Sequence, residues 1–313
     1  MSVIVPTHNR PQRLPGALGS VLAQTYRRLE VLVVDDASDQ PVDVVVEQAA
    51  GGDRRVRLLR LPVNAGAAAA RNHGLDAATG DLIAFLDDDD RWMPDKLARQ
   101  VDHLQRHPDV GFVSCDFFHT AEAAGPSAPG VDPDVTWRRP VRFRGAARYH
   151  LEHLRWVNCA GSFSLVLADR RRLGDALRID EAFRSVEDWD LWLRCAEVAP
   201  PSKVTEPLVH YVAHGDPRLT APELKRGGLE LFEHKHAASM TAACIAFHRA
   251  HQRMEQGAGL ARRGRVLAAV AATCICSRRA SALLLVEQSA RQLGRLRGDP
   301  GLAERALVAA LGW

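Results

Sequence analysis

No two cysteines in this chain stand at the spacing of a zinc site, and the six present (Cys115, Cys159, Cys195, Cys244, Cys274, Cys276) are too sparse for a disulfide scaffold. A reducing cytoplasm is therefore the expected location. An excess of one charge is lacking too: 41 basic residues face 38 acidic ones, a formal net charge of +3. That balance removes the electrostatic case for a nucleic-acid partner and leaves a phosphate-bearing small molecule open. Long hydrophobic runs are missing. The longest, Val266 to Cys276, falls short of the roughly 20 apolar residues that span a bilayer, so no membrane crossing is expected. Met1 to Pro6 has no basic stretch followed by a long apolar core and reads as a strand rather than a secretory signal. What the chain does have is 46% hydrophobic residues over 313 positions, enough for a soluble domain with a real core.

Up to about residue 115, short β-rich runs alternate with helical text, the pattern of crossover units on a parallel sheet. Strands are expected at Val3–Val5, Val31–Val34, Val56–Leu61, Leu82–Leu86 and Val110–Cys115. Between them, Leu14, Leu18, Val21 and Leu22 share helical spacing, Ala67–Ala78 is a run of helix formers ended by Thr79-Gly80, and Pro94 opens another helix. The fold class is α/β, an open, mostly parallel sheet flanked by helices. From about Thr120 to Pro140 the text reads as a surface loop, a possible flap. Strand-like text returns at Trp156–Leu167 and Lys203–Val212, with a helix over Ser185–Arg194 between them. Beyond Pro222 only helical rhythm remains. The expected division is a domain over 1–224, with a donor half to about 118 and an acceptor half over 119–224, followed by a helical region over 225–313.

Ligands of open α/β sheets bind beyond the carboxyl ends of the strands, and Ile83–Leu86 delivers Asp87-Asp88-Asp89-Asp90 to that edge. Four adjacent carboxylates repel one another unless a cation neutralises them. Hard oxygen ligands suit Mg2+ or Mn2+, which bind through one or two carboxylates plus substrate phosphates. A solvated turn is the plainer alternative. Asp35-Asp36 follows the second strand onto the same edge, where Asp36 can accept hydrogen bonds from a base or ribose or simply form a turn. Asn64, Gly66 and Arg71 lead into a helix start suited to an anionic diphosphate, with Arg71 as a mere surface charge the alternative.

In order along the chain stand Ser2–Arg10 (SVIVPTHNR), Gln24-Thr25-Tyr26, Glu30–Ser38 (EVLVVDDAS), Asn64-Ala65-Gly66 with Ala70-Arg71-Asn72, and Phe85–Trp92 (FLDDDDRW), continued by Pro94–Leu97 and Gln100. This ordered set resembles the family 2 glycosyltransferases of the GT-A fold. The resemblance implies an inverting hexosyl- or related transferase of the non-processive kind. Its donor would be a nucleoside-diphosphate sugar, by family habit a UDP-sugar, with Pro6, Thr7 and Asn9 near the nucleoside and Asp36 on the base. Asp87-Asp88-Asp89 satisfies the family's Asp-X-Asp pattern; by that similarity Asp89 would face the ribose or the metal, with Asp90 also a candidate metal ligand and Asp87 on the substrate. The Gln-X-X-Arg-Trp motif of processive relatives is missing.

Inverting transfer needs a carboxylate to deprotonate the acceptor hydroxyl. By resemblance that base is Asp188 in Val186–Arg194 (VEDWDLWLR), with Glu187 beside it and Trp189 and Trp192 walling the acceptor site. Position at a helix start should lower the acid's pKa. Read without the resemblance, the segment is an amphipathic helix with Leu191, Trp192 and Cys195 in the core. In His210–Thr220, His214 is similar to a metal-ligating position and Arg218 can bond phosphate, a solvated loop being the rival. Two other functions compete, a sugar nucleotidyltransferase and a non-catalytic nucleotide- or carbohydrate-binding module. The first should show a glycine-rich loop near its N-terminus, yet Pro6–Arg13 has no glycine. In the tail, Arg262-Arg263-Gly264-Arg265 and Ser277-Arg278-Arg279 suit a membrane surface or a partner less well than a solvated helix face, and its apolar stripes suit a homodimer. The Ala- and Arg-rich composition points to a bacterial source. The acceptor is not encoded in any of these motifs.

Overall fold

A computed structural model describes residues 1–121, 151–156, 158–213 and 222–241, with 244, 245 and 248. The described residues fall into two compact units, Met1–Leu151 with Cys159–Leu219, and Glu152–Asn158 with Thr220–Trp313. The first unit is built on crossovers. Strand β1 (Ser2–Thr7) leads through α1 (Leu14–Leu22) to β2 (Glu30–Asp35), then α2 (Asp43–Ala50), β3 (Val56–Arg60), α3 (Ala67–Ala77) and β4 (Leu82–Phe85). These four strands run parallel, β2 pairing with β1 and β3, and β1 with β4. Residues Val3 to Val5 and Val31 to Val34 are fully buried, because a parallel sheet covered by helices leaves neither face of its strands to water.

After β4 the chain adds β5 (Arg91–Trp92), α4 (Lys96–Arg106), β6 (Phe112–Ala121) and, following α5 (Leu151–Trp156) of the second unit, β7 (Leu167–Asp169). It closes with α6 (Arg170–Leu173), α7 (Glu187–Val198) and β8 (Pro201–Ala213). The sheet order is β3-β2-β1-β4-β7-β6-β8-β5. Strand β7 is antiparallel to both β4 and β6, and β5 is antiparallel to β8, so the second half is mixed where the first is purely parallel. Registry of Thr7 with Asp35 and of Ile4 with Phe85 brings the carboxyl ends of β1, β2 and β4 to one edge.

Two of the differences from the sequence expectation have a plain physical cause. The stretch Trp156–Leu167 is not a strand: Trp156 ends α5, Phe163–Leu165 form a single 3₁₀ turn, and only Leu167–Asp169 pair. Phe163 in it is buried by ring packing rather than by a ladder, so an apolar run without alternation misled the reading. Helix α2, with Val46 buried and Gly51 ending it at φ 57, carries too short an apolar face to announce itself. Helix α3 lies tightly on β1 and β2. A Cβ at Gly74 would come within 2.5 Å of Ile4 Cγ2 and 3.2 Å of Val34 Cγ2, so the glycine sets how closely the helix approaches the sheet.

In the second unit, α8 (Pro222–Lys235) is described in full, and Phe232 packs near the rings of His236 and His248. The Cys244 thiol donates to the carbonyl of Arg155 at 2.9 Å. Most of the expected flap, the segment 214–220 and the tail beyond 248 lie outside the described residues.

Candidate active site

Strand β4 hands its last backbone bond, from the Leu86 N–H to the Ile4 carbonyl at 3.0 Å, to a turn closed by the Asp90 N–H on the Asp87 carbonyl at 3.1 Å. The turn sorts the four acids. Asp87, Asp89 and Asp90 each place one oxygen within 4.8 Å of the others, whereas Asp88 turns aside and accepts the Thr7 hydroxyl at 2.7 Å. Arg10 lies 3.4 Å from both Asp88 and Asp89. Burial, opposed by Thr7 and Arg10, raises Asp88 to about 6. Asp90 is 1% exposed, and its Oδ2 has no hydrogen-bond partner. Burial first, then the charges of Asp87 and Asp89, push its pKa well above the usual carboxylate range. Three converging carboxylates, one of them buried with an unpartnered oxygen, suit a hard divalent cation such as Mg2+ or Mn2+. Asp87 thus stands with Asp89 and Asp90 in the group that can hold an ion.

Along the edge, Asp36 is buried and accepts the backbone N–H groups of Ala65 and Gly66, each at 2.8 Å, so it occupies the entrance to α3. Gly66 holds φ 94 there, a conformation that favours glycine. The His8 Nδ1 donates to the Asp36 carbonyl at 2.7 Å, and Asn64 Nδ2 meets His8 Nε2 at 2.8 Å. The side chain of exposed Asn9 donates to Asp39 and accepts from its backbone N–H. Pro6 and Thr7 complete the strand end beneath them, both buried. The sequence-derived set Pro6, Thr7, Asn9, Asp36, Asn64 and Gly66 therefore shares one edge.

Arg71 projects from α3 into the space between the acidic turn and α7. The residue is 4% exposed, its Nη2 donates to Asp87 at 2.7 Å and its Nη1 to Glu187 at 3.2 Å. Its guanidinium lies over the Phe163 ring, 3.9 Å from the centroid. Glu187 opens α7 after Val186, whose φ of 60 is unusual for a β-branched residue. Asp188, half-buried in the first turn, accepts the Trp189 N–H at 2.7 Å. Its pKa is raised to about 7, by burial first and by the Glu187 charge, with the Trp189 N–H and Arg71 opposing and Asp87 adding to the rise. The lowering expected of a helix start is therefore reversed: desolvation and two like charges outweigh the dipole and the guanidinium.

One of the two tryptophans differs from its expected place. Trp192 is fully buried, stacked on Phe112 at 5.3 Å between centroids, and its indole donates to the Gly161 carbonyl, so it belongs to the core. Trp189 is buried as well. Sequence reasoning missed Phe163 and Ser164, which touch Arg71 and the acidic turn. No local signal marks them, because their partners lie far away in the chain. His214 and Arg218 lie outside the described residues. No helix among the described residues is long and apolar enough to cross a membrane.

Residues 2–166 match the model of Glycosyl transferase family 2. The chain belongs to that family and is a glycosyltransferase on a GT-A-like fold. An uncharacterized glycosyltransferase of Haemophilus influenzae is 30% identical over 217 residues, 68% of this chain and 68% of that protein. The Escherichia coli UDP-Glc:alpha-D-GlcNAc-diphosphoundecaprenol beta-1,3-glucosyltransferase WfgD is 40% identical over 108 residues, 34% of this chain and 42% of that one. Among solved structures, S. aureus TarS 1-349 in complex with UDP-GlcNAc has a TM-score of 0.63 at 17% identity, covering 99% of this chain and 91% of that one.

Proposed function

We propose that this glycosyltransferase moves one sugar from a nucleoside-diphosphate sugar, a UDP-sugar in first place, to an acceptor hydroxyl by a single displacement with inversion. The observation that carries this reading is Arg71. One buried guanidinium binds Asp87 on the donor edge and Glu187 beside Asp188, so donor carboxylates and candidate base meet across residues far apart in sequence. Asp188, ionised, takes the proton of the acceptor hydroxyl. The oxygen forms its bond to the anomeric carbon as the bond to the diphosphate breaks, and the electron pair leaves with the diphosphate. No protein nucleophile is needed. Asp87, Asp89 and Asp90 would hold Mg2+ or Mn2+, which supplies positive charge to the departing diphosphate. Pro6, Thr7, Asn9 and Asp36 form the nucleoside edge, with Asn64 and Gly66 at the entrance to α3. His214 and Arg218 stay in the proposal on sequence grounds, as ligand and phosphate contact. The UDP-Glc of WfgD and the UDP-GlcNAc in the TarS complex support uridine.

The family match removes the nucleotidyltransferase reading, while a binding module without chemistry is left for experiment. Cys115, Cys159, Cys195 and Cys244 are buried thiols, not disulfides, which supports a reducing, cytoplasmic setting.

Thermal melts test the metal site. Asp88 and Asp90 hold protons more tightly in the fold than unfolded, so the stability they contribute is present at low pH and lost as pH rises past the ordinary carboxylate value towards about 6 and beyond. Without divalent metal, Tm is expected to fall between about pH 5 and about pH 7.5. Mn2+ with a nucleotide-sugar should restore it at the higher pH by several degrees. If no donor in a panel of UDP-, dTDP- and GDP-sugars gives metal-dependent stabilisation, the reading is wrong.

A further inference from the structure

The acidic turn carries adjacent like charges that drive it open, so its geometry needs a restraint apart from the cation. One residue holds its start and the strand that follows it. The N–H of Asp87, at the start of the turn, donates to the Ser164 hydroxyl at 3.1 Å, and the indole N–H of Trp92, in β5 directly after it, donates to the Ser164 carbonyl at 2.8 Å. Ser164 is fully buried. It sits in the 3₁₀ turn Phe163–Leu165, which is itself anchored: the Leu165 carbonyl accepts Gln100 Nε2 at 2.8 Å, and the Phe163 ring packs edge-on against Phe85 and Trp192.

We infer that Ser164 is the positioning residue of the metal site, clamping Asp87–Trp92 so that the oxygens of Asp87, Asp89 and Asp90 converge before any ligand arrives. The inference rests on the metal reading above. It gives a role to a serine that touches neither cation nor sugar, of the kind that orients ligands from the second layer.

The test is the affinity for Mn2+, read by electron paramagnetic resonance on the full chain, alone and with uridine diphosphate. Ser164→Ala removes only the oxygen and should weaken Mn2+ binding by about 10-fold or more, with a matching rise in donor KM and a smaller change in kcat. Trp92→Phe frees the other end of the clamp, should weaken Mn2+ several-fold, and serves if Ser164→Ala does not fold. A purely structural serine would lower Tm and leave Mn2+ affinity unchanged, which would overturn the inference. Wild-type protein that binds no Mn2+ in either condition would overturn the metal reading and this inference together, a result distinct from wild type and variants binding equally.

Discussion

Asp188→Asn is expected to lower kcat by about 10²- to 10⁴-fold, the contribution of a positioned general base, while the Kd for a nucleotide-sugar stays near that of the wild type. Asparagine keeps the oxygen that accepts the Trp189 N–H and removes only the ability to take a proton. The pH dependence follows from the raised pKa. Below about 7, Asp188 is mostly protonated and cannot act as a base, so wild-type kcat should climb about tenfold per pH unit from the acid side and level off above about 7. Isothermal titration with donor and a stopped assay of diphosphate release separate binding from chemistry. Unchanged turnover in Asp188→Asn would reassign the base, with Glu187 and Asp190 next to test; Asp190 is the weaker of the two, because it is fully buried and its carboxylate accepts from Arg194 at 2.9 Å.

The second large effect is expected at Arg71. Replacing it by methionine keeps much of the bulk over Phe163 but strips the partner from Asp87 and from buried Glu187. Breaking a buried ion pair from one side costs about 3–5 kcal/mol, because the charges left behind are uncompensated. Urea denaturation should show a loss in that range. Adding Glu187→Gln to Arg71→Met should recover part of it by removing one stranded charge. Arg71→Lys is expected to fall between, since a single ammonium cannot reproduce the fork that reaches both carboxylates. A loss under about 1 kcal/mol would place Arg71 among ordinary surface pairs and deny its role as the link between the two halves.

How much of this is legible in sequence depends on how local each cause is. Strands β1, β2 and β4 are readable because fully buried parallel strands are plain apolar runs, and the turn Asp87–Asp90 is readable because charge crowding is a property of neighbours. Asp188 is readable through its motif, not through its chemistry: the rise to about 7 comes from desolvation and from the charges of Glu187 and Asp87, and Asp87 is distant in the chain. The destination of Arg71 is likewise hidden. A guanidinium in a helix start suits a diphosphate equally well, and only the fold, which brings Glu187 within 3.2 Å of it, turns it that way. Ser164 illustrates the limit most plainly. It lies in a segment that reads as a strand, its functional atoms meet residues more than seventy positions away, and no period or composition marks it. Trp192 errs in the opposite direction, since an aromatic next to an acidic motif suggests a sugar platform and the ring instead stacks in the core.

The central claim is a single displacement over this carboxylate-lined edge, and the anomer first released from the donor tests it most directly. With Mn2+ present and water as the acceptor, proton NMR of an α-linked UDP-sugar should show the β-sugar appearing before mutarotation mixes the two forms, and Asp188→Asn should suppress that signal. Release of the α-sugar first would contradict a single displacement and require a protein nucleophile or a different reacting face.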